Sequence, residues 1–258
     1  MSFWINYRSH SLLLCLSLFS DDQYSFILSD STSEYMSNSP GEEIGGIIVS
    51  GLPCATILIG VFHRESGLPV AGVINQPFSS QIQDSSSRNQ WNGRRLWGVA
   101  HAEHCCYFLG KEKKTESEAE RDTTSRNFKI AISGSESENL QKTLLSAGAK
   151  LFSISGVGHK LLHVIDGNVD FYVLSHASSF KWDTCAAHAI LCSMGGGVVT
   201  YNEALKLTTK ELDKANLEKC KIKYHKPDDN IGKKWSNVNG VIAFKSCQRV
   251  FQLLDSLQ

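Results

Sequence analysis

An α/β fold in two halves is what this sequence predicts, on three observations. Strand-like apolar runs crowd residues 45–109, a charge-dense stretch without apolar anchors fills 111–126, and strand and helix patterns alternate from there to the C-terminus. In the first half, Ala55–His63 is a β-branched apolar run, Arg64–Gly67 a polar turn and Leu68–Asn75 a second run, which together predict a hairpin. Ser79–Asn92 is rich in Ser, Gln and Asn and predicts a surface loop, while Arg95–His101 and Cys105–Leu109 predict two more short strands. Mostly antiparallel sheet is therefore expected here. Glu42-Glu43 sits in a Pro/Gly-rich loop and reads as solvated surface.

Lys111–Arg126 reads as a solvated linker. Beyond it, strands are expected at Lys129–Ser133, Leu151–Ser155, Asp170–Leu174, Val198–Tyr201 and Gly240–Phe244. Helices are expected at Glu136–Ala147, Val157–Ile165 and Cys247–Leu257. One further helix follows Trp182-Asp183, where the Ala- and Leu-rich run Thr184–Met194 contains no Gly or Pro and Gly195–Gly197 supplies the stop. Asp183 is expected at its N-cap, which fixes a carboxylate on a rigid element; capping alone is the simpler reading of such an Asp.

With 258 residues, 41% hydrophobic, the chain has ample material for a core. Basic and acidic residues balance at 26 each, so no nucleic-acid surface and no polybasic membrane patch is expected. The eight cysteines show no CxxC and no framework spacing, and most lie in apolar runs, so reduced thiols and an intracellular, cytoplasmic setting are expected. Cys105-Cys106 beside His101 and His104 is not expected to hold a metal, because adjacent cysteines seldom chelate one ion together. Leu12–Phe19 has the look of a signal-peptide core, but it is too short to span a bilayer and no small-x-small cleavage site follows. Its Ser/Leu/Phe bias matches pyrimidine-rich codons, so translated intron is the reading preferred for that stretch.

Four segments carry a family resemblance. They are Asp30-Ser31-Thr32, the run Leu52–Val61 (LPCATILIGV), the run Gly72–Phe78 (GVINQPF), and Phe180–Leu191 (FKWDTCAAHAIL) with Gly195-Gly196. In this order the chain, from about Asp30 onward, resembles the magnesium-dependent, lithium-sensitive phosphomonoesterases of the inositol monophosphatase superfamily, and within it the branch acting on inositol polyphosphates. The resemblance implies a layered α-β-α-β-α sandwich, here lacking most of its N-terminal helical layer. An apolar sheet face left bare by that loss would make the chain poorly soluble unless a partner covers it. The implied division is a non-family segment at 1–26, a sheet-rich metal and phosphate half at 27–110, the linker at 111–126 and an α/β substrate half at 127–258.

By the same resemblance, Asp30 and Asp183 bind Mg²⁺, and Thr32 orients the attacking water. Ser31 and Thr32 lie at the phosphate, and Ser135, Gly156, Val157, Lys160 and Ser178 contact an inositol phosphate. Read without the family, Gly156 and Gly158 fit a tight turn and Lys160 a surface charge, and Lys181 and His188 read as structural. The sequence also departs from the family. Ile27 stands where the first signature has an aspartate, Ser137 stands where a contacting lysine is expected, and only 29 residues precede Asp30, so the upstream acidic pair is missing. An isoleucine side chain has no oxygen for a hard cation. Three functions stay open: removal of the 1-phosphate from inositol polyphosphates such as inositol 1,4-bisphosphate, with turnover impaired; a non-catalytic inositol-phosphate-binding remnant; and a 3′-phosphoadenosine 5′-phosphate phosphatase.

Overall fold

The computed structural model describes residues 23–82, 90–101, 104–110, 127–227 and 234–257, with the side chains of 23–28 left aside. The expected linker and the Leu12–Phe19 stretch lie outside the described residues.

Sheet one has the order β1-β4-β5-β6-β7 and is antiparallel throughout: β1 Gln23–Asp30, β4 Thr56–His63, β5 Pro69–Gln81, β6 Trp91–His101 and β7 His104–Phe108. The expected hairpin is β4–β5. The ends of the expected loop at Ser79–Asn92 are strand instead, since Ser80 pairs with Asn92 and Gln81 with Trp91, and residues 83–89 lie outside the described residues. Backbone pairing across a long hairpin there outweighs the polar composition, which is a weak guide on a half-solvated sheet. Strand β1 starts at Gln23, inside the segment expected to be foreign, and sets Ile27 opposite Ile59. A short ribbon, β2 Glu43–Ile44 with β3 Ile47–Ile48, leaves Glu42 and Glu43 exposed as expected.

Sheet two has the order β11-β12-β10-β8-β9, from β8 Lys129–Ile132, β9 Lys150–Ser153, β10 Phe171–Leu174, β11 Gly197–Val199 and β12 Val241–Phe244. β8 runs parallel to β9 and β10, as crossover helices require, and β12 is antiparallel to both neighbours. All four residues of β10 are buried, Tyr172 and Leu174 in one core and Phe171 and Val173 in the other. A sheet covered on both faces explains that unbroken apolar run.

The helices are α1 Thr32–Ser37, α2 Glu138–Ser146, α3 Val157–Asp166, α4 Lys181–Ser193, α5 Tyr201–Leu205, α6 Lys214–Lys219 and α7 Cys247–Ser256. Helices α3 and α4 form the layer between the sheets, and one core runs from Leu58, Ile74 and Leu96 of sheet one through Leu161 and Ile190 to Val241 of sheet two. Helices α2, α6 and α7 cover the far face of sheet two. The described residues thus stack β-α-β-α. Tyr201, expected at the end of a strand, instead opens α5.

A groove of glycines decides where α4 sits. Gly60, Gly72 and Gly98 are in register across β4, β5 and β6. A Cβ at Gly72 would lie 2.0 Å from Ala186 O, one at Gly60 2.7 Å from Ala186 N, and one at Gly98 2.6 Å from Ser193 Oγ. The Ala run of α4 therefore serves close helix–sheet approach as well as helix propensity. Helix α3 is tied to sheet one by a polar chain: Arg94 donates to Asp166 at 2.6 and 3.1 Å and to Gln76 at 2.7 Å, and Gln76 donates to Pro53 O at 2.7 Å. On the other face of sheet one, Ile57, Ile59, Val61, Val73 and Trp97 are half-buried rather than bare, and Phe108, stacked on Trp97, is 40% exposed.

Candidate active site

Three helix starts converge beside the end of β1. The chain leaves β1 at Asp30, passes Ser31 in the left-handed region (φ 64°) and enters α1 at Thr32. Asp30 accepts Ser31 N–H at 2.8 Å through Oδ1 and Gly158 N–H, from the first turn of α3, at 2.7 Å through Oδ2. The glycines of that turn are required by this docking. A Cβ at Gly156 (φ +74°) would lie 2.0 Å from Ser31 Oγ, and one at Gly158 2.4 Å from Thr56 Oγ1 and 3.1 Å from Asp30 Oδ2.

Asp183 is not the N-cap of α4. The cap is Phe180, the helix begins at Lys181, and Asp183 is its third residue, where Oδ2 accepts Phe180 N–H at 2.7 Å. A carboxylate at that position reaches back to the cap amide, which is one half of a capping box; phenylalanine has no oxygen to return the other half. Trp182 stacks on Phe180 at 4.6 Å and closes the start of the helix.

The electrostatics are those of buried charges sharing one site. Burial pushes the Asp183 carboxyl up to about 7, and the Asp30 charge adds to the rise. Burial likewise raises Asp30, while the Gly158 amide and the Lys160 ammonium pull it back. Lys160 is 4% exposed rather than a surface charge, donates to Gly156 O at 3.2 Å and lies over the Tyr172 ring. Burial lowers it to about 8, against the attraction of Asp30 and Asp183.

These groups border a cavity of about 570 Å³. Of the sequence-predicted residues, Asp30, Ser31, Thr32, Ser135, Gly156, Val157, Lys160 and Ser178 all line it, contributed by β1–α1, the β8–α2 loop, α3 and the loop before α4. Asp183 is coupled to it through charge rather than as part of its wall. Glu34, which sequence reasoning missed, also lines it and accepts Gly51 N–H at 2.6 Å. Its signal was available, an acidic residue one helical turn beyond Asp30. Ser137 is drawn off to cap α2, accepting Leu140 N–H at 3.3 Å. Lys181 is buried and donates to Lys223 O and Lys226 O, and His188 meets Tyr224 Oη at 2.9 Å, both in packing roles. A second hollow of about 290 Å³ holds none of the predicted site residues.

A buried carboxylate, Asp183, and a half-buried one, Asp30, both pushed toward protonation, with the Ser31 hydroxyl buried and without a partner among the described residues, are donors that suit one hard divalent cation. No group of three His, Cys, Asp or Glu able to hold a metal occurs among the described residues. The seven described cysteines are free thiols, and no helix among the described residues is long and apolar enough to cross a membrane.

A two-sheet, two-helix-layer α/β protein with an oxygen-rich, metal-suited cleft at converging helix starts is the class this architecture defines. The inositol monophosphatase family profile matches residues 30–228, and the chain belongs to that family. It is 36% identical over 237 residues to inositol polyphosphate 1-phosphatase of Mus musculus and 35% identical over 240 residues to that of Homo sapiens, 88% of this chain in each case. The match spans 58% of each relative's length. A 3'(2'),5'-bisphosphate nucleotidase 1 of Homo sapiens is 30% identical over 141 residues, 55% of this chain and 41% of its own. Among solved structures, a Pyrococcus horikoshii protein described as similar to inositol-1 monophosphatase superposes with TM-score 0.55 at 12% identity, over 92% of this chain and 71% of its own. The inositol monophosphatase of Anabaena superposes with TM-score 0.52 at 16% identity, over 91% and 73%. Those two likenesses speak for the fold.

Proposed function

We propose that this chain is a metal-dependent phosphomonoesterase that removes the 1-phosphate from an inositol polyphosphate, with inositol 1,4-bisphosphate as the substrate to test. The observation that carries this reading is the shared cavity. A buried ammonium and a half-buried carboxylate, Lys160 and Asp30, line it together with Ser31 and Thr32, and both act electrostatically on Asp183.

Asp30 and Asp183 would hold Mg²⁺, which supplies charge against the phosphoryl oxygens and makes a bound water easier to deprotonate. Lys160 offsets phosphoryl charge from a low-dielectric position, where its ammonium acts more strongly than in water. Thr32, at the first helical position of α1, orients the attacking water with its hydroxyl. The water oxygen bonds to phosphorus, the bond from phosphorus to the sugar oxygen breaks, and that oxygen leaves with a proton. Ser135 and Ser178 contact the sugar or its second phosphate.

The decisive experiment is magnesium-dependent phosphate release from inositol 1,4-bisphosphate, with Asp183→Ala as control and lithium as inhibitor. Release that is lost in the control supports the reading. Folded protein that releases none favours the second reading, a sugar-phosphate-binding remnant, for which Ile27 speaks. The nucleotidase alternative has the shorter match, 55% of this chain against 88%. Including 3′-phosphoadenosine 5′-phosphate in the assay separates it.

A further inference from the structure

Outside the cavity, helix α3 carries a pair of side chains that the chemistry above leaves unused. His159 and His163 stand one helical turn apart and are 2% and 6% exposed. Their Nε2 atoms lie 3.1 Å from each other, and each lies 3.1 Å from Ile48 O of the short ribbon. The rings are inclined at 74° with centroids 4.5 Å apart, so both present a nitrogen to the same carbonyl.

Protons alone do not satisfy this triangle. A carbonyl oxygen only accepts, and a neutral imidazole carries one N–H. If both rings are protonated at Nε2, two N–H groups abut. If only one is, the other Nε2 lone pair faces the lone pairs of Ile48 O. His159 Nδ1 is buried without a partner among the described residues, so no tautomer of that ring is fully paired. Burial lowers both histidines, which leaves them neutral near pH 7, each with a lone pair to give. A cation turns the opposed lone pairs into ligands. The centre of a triangle with 3.1 Å sides lies 3.1/√3, about 1.8 Å, from each corner, so an ion at the about 2.0–2.1 Å of imidazole ligation sits just off its plane.

Two imidazoles and a carbonyl suit Zn²⁺, Cu²⁺ or Ni²⁺ better than Mg²⁺. Behind His163, the Asn168 side-chain amide lies 3.0 Å from Nδ1; with its oxygen toward the ring it accepts Nδ1–H, the outer contact that fixes the tautomer of a ligating histidine. The Arg94 guanidinium, whose charge reaches both rings, is neutralised by Asp166, and Lys160, which also acts on His159, lines the cavity. Ile48 is half-buried, which leaves a way in for the ion and for water to complete its shell. We propose that His159, His163 and the Ile48 carbonyl bind one borderline divalent cation of the Zn²⁺ type, at a site separate from the Mg²⁺ position at Asp30 and Asp183. The ion fastens the ribbon to α3, beside the bond that Ser155 N–H donates to Val49 O at 2.8 Å, and so braces the turn that carries Gly156 and Gly158. Nothing in this arrangement depends on the phosphatase reading.

The test is Zn²⁺ binding to the full chain, stripped of metal by chelation and then held in excess Mg²⁺, which occupies oxygen sites and competes poorly for imidazole. The native chain should bind one equivalent and melt at a higher temperature with it. His159→Gln and His163→Gln keep an N–H for Ile48 O but lose a ring nitrogen. Each should weaken binding by about 10–100-fold or more, since disturbing even an outer contact of a zinc ligand costs that much, and should abolish the melting shift. Co²⁺ in place of Zn²⁺ should give visible bands without sulfur charge transfer, which separates this site from one made by the free thiols. No binding by the native chain, binding that survives both substitutions, or a Co²⁺ spectrum of sulfur ligation alone overturns the proposal. Should either variant not fold, the imidazole nitrogen resonances of the native chain decide: Zn²⁺ that shifts those of His159 and His163 upholds it, and Zn²⁺ that leaves them unmoved overturns it.

Discussion

Asp30 and Asp183 are the same side chain held in two ways. Asp183 is anchored within its own helix, three residues from the amide it binds. Asp30 is anchored from 128 residues away, by the Gly158 amide of α3, and by its neighbour Ser31. The local anchor costs little to form because the helix already presents its free N–H groups. The distant one exists only if sheet one and α3 are docked, which depends on the glycine pair, on Arg94–Asp166 and on the short ribbon. One half of the site is therefore secondary structure, and the other half is tertiary contact.

The largest expected effect separates the two anchors. Asp183→Asn keeps an oxygen for the Phe180 amide and loses the charge, so phosphate release should fall by about 10²–10³-fold while thermal stability holds. Asp30→Asn keeps one acceptor for two amides, so activity should fall and about 1–3 kcal/mol of stability should go with it. Equal stability losses in urea unfolding of the two variants would erase the distinction.

Next in size is Gly158→Ala, whose methyl group would meet Thr56 Oγ1 and Asp30 Oδ2. It should cost about 1–3 kcal/mol through overpacking. Gly195→Ala, at φ +89° with nothing within 4 Å of its Cβ, carries backbone strain alone and should cost about 1 kcal/mol. Urea unfolding ranks the two, and a reversed order would mean that the α3 turn yields more easily than its contacts imply.

A gentler probe is pH. Helix α3 carries His159 and His163, whose rings meet at 3.1 Å and share Ile48 O of the ribbon. Burial lowers both, His159 to about 3 with the neighbouring His163 contributing, and burial also lowers His188 of α4 well below its usual value. Between the ordinary histidine value near 6.5 and these depressed values, the unfolded chain binds protons that the folded chain refuses. Stability is therefore intact above about pH 6.5 and declines as pH falls, by at most about 1.4 kcal/mol per unit for each histidine. With two such rings against one, α3 should loosen before α4 on going from pH 7 to pH 5. Hydrogen exchange on the two helices reads this, and simultaneous opening would show that they form one cooperative unit.

The same division explains what could be read in advance. Alternation located all five strands of the second sheet and helices α2, α3 and α7 to within about two residues and α4 to within three, whereas α5 and α6 were not expected; the success rests on the different apolar periods left by two-sided burial of a short strand and one-sided burial of a helix. The hairpin β4–β5 was legible from its polar turn. The polar outer stretch of β5–β6 was not, because backbone pairing, not side-chain character, makes it strand. Glycines 156 and 158 were legible as a turn, but the need for them lies in Ser31, Asp30 and Thr56, which come from the other half of the chain.

By itself, then, the sequence determined the elements and the identity of the groups that gather: the carboxylates, Lys160 and the serines, together with the family to which their motifs belong. Local periodicity and short motifs carry that information because neighbouring residues constrain one another directly. Only the tertiary structure decided that Lys160 is buried beside Asp30 rather than solvated, that His159 and His163 meet at Ile48 O of the ribbon, and that three glycines in register seat α4. These are contacts between residues far apart in the chain, made when burial of the common core brings the two sheets and their helices together.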